Sequence, residues 1–412
     1  MDRLETVLVV GASLAGLRAV ETLRRDGYDG RLVLVGAEAH LPYDRPPLSK
    51  QLLTGEWDTD RVWHRDPAKY DELAVELVLG RRATSLDATG RTVTLDDGQG
   101  VGFDGLVIAT GATPRRLPGT PELTGIHTLR TLDDAVAIRD ALAASPRVAV
   151  VGAGFIGSEV AAGCRHHGVE VTVLEALPVP LAHILGEEMG RACAALHADH
   201  GVTVRCGVGV DGFVGDDRVE GIRLADGAVV DADLVVVGVG VTPETAWLEG
   251  SGIELANGVV VDATCATAVD GIVAAGDVAR WPSARYGSDV RVEHWTNAVE
   301  QGRAAAKRLL GGPGVAPYDP VPFFWSDQYD TTIQFAGHTR AGDRVEVVHG
   351  SVDDRAFVAL YGGDREVTAV LGFDRPRLVN QYRRLLAGGG TWDAARELAR
   401  GTRSGGTRSP SP

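Results

Sequence analysis

Two glycine-rich segments have the residue types and spacing of nucleotide-binding turns. Residues 7–16 read VLVVGASLAG and residues 148–157 read VAVVGAGFIG. Each segment starts with a short apolar run, which predicts a strand, and continues into small residues, which predict the start of a helix. A glycine permits the tight turn between them, and the N-terminus of the helix presents free N–H groups and the positive end of its dipole to a phosphate. The two segments therefore predict two pyrophosphate-binding turns.

A carboxylate follows each turn at the distance expected for a dinucleotide site. Glu38 follows Gly16, and Glu175 follows Gly157, by about 20 residues in each case. A carboxylate at the end of the second strand can accept hydrogen bonds from the two hydroxyls of an adenosine ribose. The first turn departs from the common pattern because Ser13 replaces the middle glycine. Since the whole unit is repeated, the sequence predicts a duplicated domain that holds two dinucleotides, with electron transfer between them.

Size and charge restrict the class of protein. The chain has 412 residues, which predicts two or three domains, and its net charge of −15 argues against nucleic acid or an anionic membrane as a partner. The longest apolar run, near residues 234–241, is far too short to span a bilayer. The chain starts almost directly with the first predicted strand, which leaves no room for a signal peptide and predicts a cytoplasmic location.

The cysteines indicate neither a metal site nor a disulfide framework. They are scattered, with no CxxC spacing and no metal-ligand spacing. We expect buried, reduced thiols, as in a cytosolic protein, and no bound metal. The four residues are Cys164, Cys193, Cys206 and Cys265.

The order of the predicted elements indicates an α/β protein with two Rossmann-like dinucleotide-binding domains and a C-terminal α+β domain. After residue 243 the chain returns to the first domain through a strand within residues 271–281 and a helix over residues 296–310, which a Gly-Gly-Pro sequence ends. From residue 320 onward, short strands are followed by helices. The predicted domains are residues 1–114 with 247–319, residues 115–246, and residues 320–400, with a disordered tail over residues 401–412.

Eight motifs occur in a fixed order between residues 6 and 335. They are GASLAG with LVGAE, LPYDRPPLSK, ATG, LRTLDDA, GAGFIGSEVA, AAGDVA, HWTNAVEQG and WSDQYD. In this order they resemble the FAD-dependent, NADH-using ferredoxin reductases that serve Rieske oxygenases and bacterial haem monooxygenases, the family of putidaredoxin reductase and rubredoxin reductase. The resemblance covers about four fifths of the chain. It implies the glutathione-reductase-like fold of the pyridine nucleotide-disulfide oxidoreductase superfamily.

One absence separates this chain from the disulfide reductases of that superfamily. Those enzymes carry a redox cysteine pair near residue 45, where this chain reads Pro-Tyr-Asp-Arg-Pro, and no cysteine precedes Cys164. A dithiol relay beside the flavin is therefore excluded, and the flavin must pass its electrons directly to an external acceptor. The resemblance implies that NADH delivers a hydride to N5 of FAD, which then passes two electrons, one at a time, to an iron–sulfur ferredoxin.

The resemblance assigns FAD to the first turn, with Arg45 near its pyrophosphate and Lys50 near its isoalloxazine. Solvated loop charges at these two positions, and a helix-capping role for Asp277, stay as alternatives. The helix that begins near Trp295 would point its N-terminus at the flavin and stabilise negative charge there by about 0.3–2 kcal/mol. The implied FAD-binding residues are Gly11, Ser13, Ala15, Gly16, Glu38, Arg45, Lys50, Ala83, Thr110, Gly111, Arg130, Asp277 and Trp295.

The second turn is assigned to NADH. Glu175 would bind both hydroxyls of the unphosphorylated ribose, and it would repel a 2′-phosphate because no arginine lies among the next three residues. We therefore expect NADH to be preferred over NADPH. The implied NADH-binding residues are Gly152, Gly154, Gly157, Glu159, Glu175 and Gly240.

Three side chains are implied in the catalytic step: Lys50, Glu159 and Trp325. Glu159, expected in the first turn of the second helix, would project toward the nicotinamide and pair with Lys50. The pair would help to hold the nicotinamide C4 at roughly 3–3.5 Å from N5 of the flavin. Trp325 would cover the flavin from the third domain. The alternatives are an acid that only complements the helix dipole and an ordinary core tryptophan.

The resemblance also implies an acidic ferredoxin as the partner and an oxygenase downstream, for a monomer or weak homodimer. Because this chain is acidic too, docking would use a local basic patch. Rubredoxin as the acceptor, an NADH oxidase or quinone reductase, and an NADH-sensing protein like apoptosis-inducing factor stay as alternatives. The candidates for the patch are Arg303, Lys307, Arg308, Arg340 and Arg377.

Overall fold

The structure, a computed structural model, describes residues 4–404. The strands are β1 (Thr6–Val10), β2 (Arg31–Gly36), β3 (Glu76–Leu79), β4 (Ala83–Asp87), β5 (Thr92–Leu95), β6 (Gly100–Gly102), β7 (Gly105–Ile108), β8 (Ala112–Pro114), β9 (Ile126–His127), β10 (Val148–Val151), β11 (Val171–Glu175), β12 (Thr203–Cys206), β13 (Val210–Val214), β14 (Gly221–Leu224), β15 (Val229–Asp231), β16 (Leu234–Val237), β17 (Val241–Pro243), β18 (Val259–Val260), β19 (Ile272–Ala274), β20 (Ala279–Ser283), β21 (Ser288–Val290), β22 (Phe323–Gln328), β23 (Thr331–Gly337), β24 (Arg344–Ser351), β25 (Ala356–Gly362) and β26 (Val367–Phe373). The helices are α1 (Leu14–Arg25), α2 (Ala68–Glu72), α3 (Leu132–Leu142), α4 (Phe155–His166), α5 (Ala182–Asp199), α6 (Trp295–Gly311), α7 (Pro376–Ala387) and α8 (Trp392–Ser404).

The described chain divides into two compact units. The first contains residues 4–47, Trp57–Pro114 and Val241–Asp319, and the second contains Leu48–Glu56, Arg115–Gly240 and residues 320–404. The short segment Leu48–Glu56 groups with the second unit because its apolar side chains are buried there. Leu53 is fully buried in one apolar cluster with Val150 and Val160.

The first unit is built on a five-stranded parallel sheet with the order β19-β7-β1-β2-β3. Its central strands are almost entirely buried, as expected for a parallel sheet that is covered on both faces. Helices α1 and α6 pack closely, because Gly302 has no side chain where a Cβ would lie 2.4 Å from the carbonyl oxygen of Ala15. The carboxyl ends of β1, β7 and β19 meet at one edge of the sheet.

The second unit repeats this plan and adds a further layer. A five-stranded parallel sheet has the order β12-β11-β10-β16-β9, and α4 follows its central strand β10. Residues 323–373 form an antiparallel sheet with the order β22-β23-β26-β25-β24. Helices α7 and α8 bury Val379, Tyr382 and Trp392 against this sheet. The predicted fold, two Rossmann-like domains and a C-terminal α+β domain, is confirmed.

The C-terminal end of the described chain differs from the sequence prediction. The predicted tail begins inside a helix, because α8 continues through residues 401–404 to Ser404. Once a helix is nucleated, each further residue gains a hydrogen bond that offsets the entropy lost in fixing it, and α8 continues through Gly401. The rest of the predicted tail lies outside the described residues.

Within residues 4–404, no helix combines the length and apolarity needed to cross a bilayer.

Candidate functional site

The first glycine-rich turn is shaped by backbone crowding. Gly11 has a φ of +118°, and a Cβ there would lie 2.0 Å from the carbonyl oxygen of Ala109. A Cβ on Gly16 would lie 1.9 Å from the carbonyl oxygen of Gly11. Ser13 is the N-cap of α1, and its side chain makes no capping hydrogen bond. The first N–H groups of α1 are thus not capped by this residue, which suits an anion at the helix N-terminus.

Arg45 links this turn to the acid at the end of β2. Its Nε donates a hydrogen bond to Ser13 Oγ at 3.2 Å, and its guanidinium contacts Glu38 Oε1 at 2.6 Å. The Tyr43 hydroxyl donates to the other oxygen of Glu38. The residues predicted to bind a pyrophosphate and a ribose are therefore adjacent, and Arg45 keeps a positive charge between them.

Three further predicted FAD residues of the first unit lie at one edge of its parallel sheet. Thr110 and Gly111 follow β7, and Asp277 follows β19. They therefore lie at the same edge as the first glycine-rich turn, which follows β1. Thr110 Oγ1 donates to the carbonyl oxygen of Glu244 at 2.8 Å. Ala15 lies against Gly276, whose Cβ would come within 2.9 Å of the Ala15 Cβ.

The four remaining predicted FAD residues lie on other elements. Trp295 is the first residue of α6, as predicted, and its Nε1 donates to Asp44 Oδ1 at 2.7 Å. Ala83 begins β4 and is buried. Arg130 and Lys50 belong to the second unit, whereas the remaining predicted FAD residues belong to the first.

The glycines of the second turn differ in their surroundings: two are crowded by backbone, and one faces open space. Gly152 has a φ of +98°, and its Cβ would lie 2.4 Å from the carbonyl oxygen of Gly238. A Cβ on Gly157 would lie 2.0 Å from the carbonyl oxygen of Gly152. Gly154, the N-cap of α4, faces open space instead, with no described heavy atom within 4 Å of its Cβ position. Two glycines are required for packing, and the third keeps a ligand's approach to the helix clear.

Glu175 is held beside this helix N-terminus. It ends β11, and its Oε2 accepts a hydrogen bond from the Ala153 N–H at 2.7 Å. Its Oε1 accepts from the Leu177 N–H at 2.8 Å. The carboxylate is therefore fixed next to the second turn. The predicted residue Gly240 has a φ of +92° and lies just before β17.

We predict that Gly154→Val weakens NADH binding without harming the fold. The φ of −73° at Gly154 suits any residue, and open space surrounds its Cβ position. The added side chain would occupy the path of the pyrophosphate, so that the KM for NADH should rise by about tenfold or more. Thermal unfolding and flavin content should match the unsubstituted protein. Gly157→Ala is the opposite case, since steric overlap with Gly152 should lower the unfolding midpoint.

One face of α4 holds the segment that carries Lys50 next to Glu159. This face is formed by residues that recur every fourth position: Glu159, Gly163 and the C-cap residue His167. A Cβ on Gly163 would lie 2.8 Å from Leu53 Cδ2, and His167 Nε2 lies 2.9 Å from the carbonyl oxygen of Leu53. The segment Leu48–Glu56 is thereby held against the helix. Lys50 Nζ lies 2.7 Å from Glu159 Oε2, so the predicted contact is present.

The environment of Glu159 differs from the prediction in one respect. Helix α4 begins at Phe155, so that Glu159 is its fifth residue and lies in the second turn rather than the first. The glycine at position 154 caps the helix, which places the start of α4 one residue after it. The dipole effect falls off within the first turn, so complementing the helix dipole does not account for this acid. Because Glu159 is only 3% exposed, its carboxylate must be stabilised by hydrogen bonds within the protein rather than by water.

The structure adds residues that sequence reasoning missed. Ser49 Oγ donates to Glu159 Oε2 at 2.5 Å, and Ser326 Oγ donates to Glu159 Oε1 at 2.8 Å. Gln328 Nε2 donates to Ser326 Oγ at 3.1 Å. Side chains alternate along β22, so that Ser326 and Gln328 lie on one face, but the three consecutive polar residues of FFWSDQ gave no sequence signal that singled them out. Trp325 lies on the other face, half-buried, with its ring 6.4 Å from that of Phe323.

The thiols are not prepared for redox chemistry. All four cysteines are free, and burial raises the pKa of Cys164, Cys193 and Cys265 to about 12. Cys206 is half-buried rather than buried as predicted, because it ends the edge strand β12. Burial and the neighbouring Glu175 raise the pKa of this thiol as well. None of these thiols supplies a reactive thiolate near neutral pH.

Comparison with known proteins identifies the family. Residues 5–302 match the model of the pyridine nucleotide-disulphide oxidoreductases. The chain belongs to this family. Residues 323–402 match the model of the reductase C-terminal domain. The chain is therefore an oxidoreductase, and ferredoxin reductases of this family use FAD and NADH.

Two curated relatives and one solved structure match nearly the full length of the chain. The chain is 37% identical to rhodocoxin reductase of Rhodococcus erythropolis over 384 residues, which cover 93% of this chain and 89% of that protein. It is 37% identical to the ferredoxin reductase component of chlorobenzene dioxygenase from Cupriavidus sp. (strain PS12), with 90% of each chain covered. The crystal structure of the covalent putidaredoxin reductase–putidaredoxin complex matches with a TM-score of 0.88 and 34% identity over 93% of each chain. The resemblance seen in the motifs is confirmed.

The described residues of this pyridine nucleotide-disulphide oxidoreductase fit both dinucleotides. The N-terminus of α1 and the cationic Arg45 offer donors to a pyrophosphate, and Glu38 offers acceptors to a ribose. The open space at Gly154 and the fixed carboxylate of Glu175 offer the same pair of functions in the second unit.

Proposed function

We propose that the protein is an NADH:ferredoxin reductase that supplies electrons to an oxygenase. Bound FAD supplies the ability to accept a hydride from NADH and to release the two electrons one at a time. The observation that carries the proposal is the loop at Tyr43 and Arg45, which supplies a cation for the first turn where the disulfide reductases carry a cysteine pair. Without a dithiol, the electrons must leave the flavin for an external carrier.

The two dinucleotide-binding regions and the side chains near them have separate roles in this reaction. We assign FAD to residues 4–114 with 247–319 and NADH to residues 115–246. The pair Lys50 and Glu159 orients the nicotinamide for hydride delivery, because both side chains are almost buried and contact each other directly. The N-terminus of α6 stabilises negative charge on the flavin. The ring of Trp325 would cover the flavin.

The relatives support a ferredoxin as the acceptor. One is named as the reductase component of a dioxygenase, and one solved relative is in a covalent complex with putidaredoxin. We propose the same class of partner here, in the cytoplasm, where free buried thiols such as these stay reduced. The monomer or weak homodimer expected from the resemblance is part of this proposal.

Exposed cations are available for docking an acidic ferredoxin. Arg303 and Lys307 lie one turn apart on the exposed face of α6, and Arg340 and Arg377 are exposed in the second unit. Arg308 differs from the prediction, because it is half-buried and its Nε donates to Thr264 Oγ1 at 2.9 Å. Arg308 therefore belongs to the fold of the first unit rather than to an open patch.

The function is tested by NADH-dependent reduction of cytochrome c through an added iron–sulfur ferredoxin. We expect a rate that depends on the ferredoxin and falls by about tenfold as the ionic strength rises from about 0.05 M to about 0.5 M, because salt screens the docking charges. Charge reversal at Arg303 with Lys307, compared with reversal at Arg340 with Arg377, identifies the patch by its rise in KM for ferredoxin. A rate independent of both ferredoxin and salt would contradict the proposal.

A further inference from the structure

A buried chain of polar groups connects the C-terminal sheet to the lysine–glutamate pair. Ser49, Glu159, Ser326 and Gln328 are each at most 3% exposed. In the described residues, the Glu159 carboxylate accepts hydrogen bonds from Ser49, Lys50 and Ser326. Such a group is costly to bury unless its hydrogen bonds are all made, so this set of contacts fixes where the carboxylate lies.

The direction of the hydrogen bonds is set by the donors. Lys50 can only donate, and it does so to Oε2 of Glu159. Ser326 accepts a hydrogen bond from Gln328 Nε2, so that its single hydroxyl proton is directed to Oε1 of Glu159. Each oxygen of the carboxylate therefore faces a donor, which restrains the orientation of the side chain. The second hydrogen bond, from Gln328, polarises the Ser326 hydroxyl and makes it a stronger donor.

Strand geometry explains why the contact is specific. Side chains alternate along β22, so that Phe324, Ser326 and Gln328 share one face. The ring of Phe324 packs against Phe155 of α4 with 4.3 Å between the centroids, which holds this face on the helix that carries Glu159.

Gln328 Oε1 is buried with no hydrogen-bond partner among the described residues. A buried amide that is only partly paired is costly, and its one described side-chain contact is with Ser326.

We propose that Ser326 and Gln328 are positioning residues for hydride transfer, which fix the rotamer of the Glu159 side chain. The inference rests on the proposed function, because it assumes that the Lys50–Glu159 pair orients the nicotinamide. It assigns to the C-terminal sheet a part in the reduction of the flavin, separate from any contact with a ferredoxin.

Ser326→Ala tests the proposal, since it removes the donor to Oε1 and leaves Lys50 in place. In the FAD-loaded protein we expect the limiting rate of flavin reduction by NADH to fall by about tenfold, while the Kd for NADH changes by less than about twofold. The second readout is ¹³C NMR of glutamate-labelled protein without NADH, with the Glu159 carboxyl signal assigned by Glu159→Gln. We expect this carboxyl signal to shift in Ser326→Ala at neutral pH, because the hydrogen bond to Oε1 is lost.

Matched variants separate positioning from structural damage. Ser158→Ala is the control, because Ser158 is fully buried beside Glu159 and its hydroxyl has no hydrogen-bond partner among the described residues. Ser326→Thr keeps the hydroxyl and should restore both the rate and the position of the carboxyl signal. Gln328→Met should shift both in the direction of Ser326→Ala by a smaller amount, because it removes only the donor to Ser326.

Two results would overturn the inference. One is a rate and a carboxyl signal in Ser326→Ala equal to those in Ser158→Ala. The other is a slower rate with an unshifted carboxyl signal, which would make Ser326 a structural residue only. Failure of the proposed function would appear elsewhere, in the unsubstituted protein, as NADH reducing the flavin without reduction of a ferredoxin.

Discussion

Lys50→Met is expected to slow the reduction of the flavin by NADH by about 100-fold while FAD stays bound. The Lys50 ammonium is the cationic partner of a carboxylate that is 3% exposed, at 2.7 Å. Its removal leaves the Glu159 charge buried with two hydroxyl donors among residues 4–404, which is strongly unfavourable. The nicotinamide then loses an orienting pair, and misplacement by about 1 Å is enough for a rate loss of this size. Anaerobic stopped flow at the flavin absorbance measures the rate.

The chain offers a matched control for this variant. Lys69 forms an ion pair of the same length with Glu72, at 2.7 Å, but both side chains are more than half exposed. Lys69→Met should leave the rate of flavin reduction unchanged, since exposed pairs contribute little. If Lys50→Met retains its FAD and is reduced as fast as Lys69→Met, the orienting role is wrong.

The protein should use NADH at least about 100-fold better than NADPH, measured as kcat/KM. The reason is the fixed position of Glu175, whose carboxylate oxygens are held by the N–H groups of Ala153 and Leu177. A 2′-phosphate would meet this charge and could not displace it without breaking two hydrogen bonds. No arginine among the next three residues compensates for the repulsion.

Glu175→Gln tests the cause of this preference. It removes the charge with little change in shape, so that kcat/KM with NADPH should rise while that with NADH falls. Glu170→Gln, at an exposed position before the same strand, should change neither value. Equal use of the two nucleotides by the unsubstituted protein, or a preference for NADPH, would contradict the role given to Glu175.

The parts of the fold that could be predicted are those with local signals. Gly11 and Gly152 were found because a tight turn with positive φ admits few other residues. Helix α5 was missed because Gly186, with a φ of +74°, interrupts it and breaks its periodicity. Helix α3 was missed although Thr131 and Asp134 form a capping box, which is a readable local signal.

The site could be predicted only in part, because its contacts join distant positions. Lys50 and Glu159 are 109 residues apart, and their pairing was available only through the family resemblance. Ser326 and Glu159 are 167 residues apart, and no local pattern joins them. What decides that contact is the packing of β22 on α4, which depends on the apolar fit of Phe155 and Phe324. Residue types alone do not specify such a fit.

Reoxidation of the flavin tests the central claim most directly. The protein is reduced under anaerobic conditions with one equivalent of NADH and mixed in stopped flow with an iron–sulfur ferredoxin, a quinone or air-saturated buffer. We predict that a ferredoxin reoxidises the flavin at least about 100-fold faster than oxygen does, with two ferredoxins reduced for each NADH. Faster reoxidation by oxygen or by the quinone, with the ferredoxin left oxidised, would contradict the account.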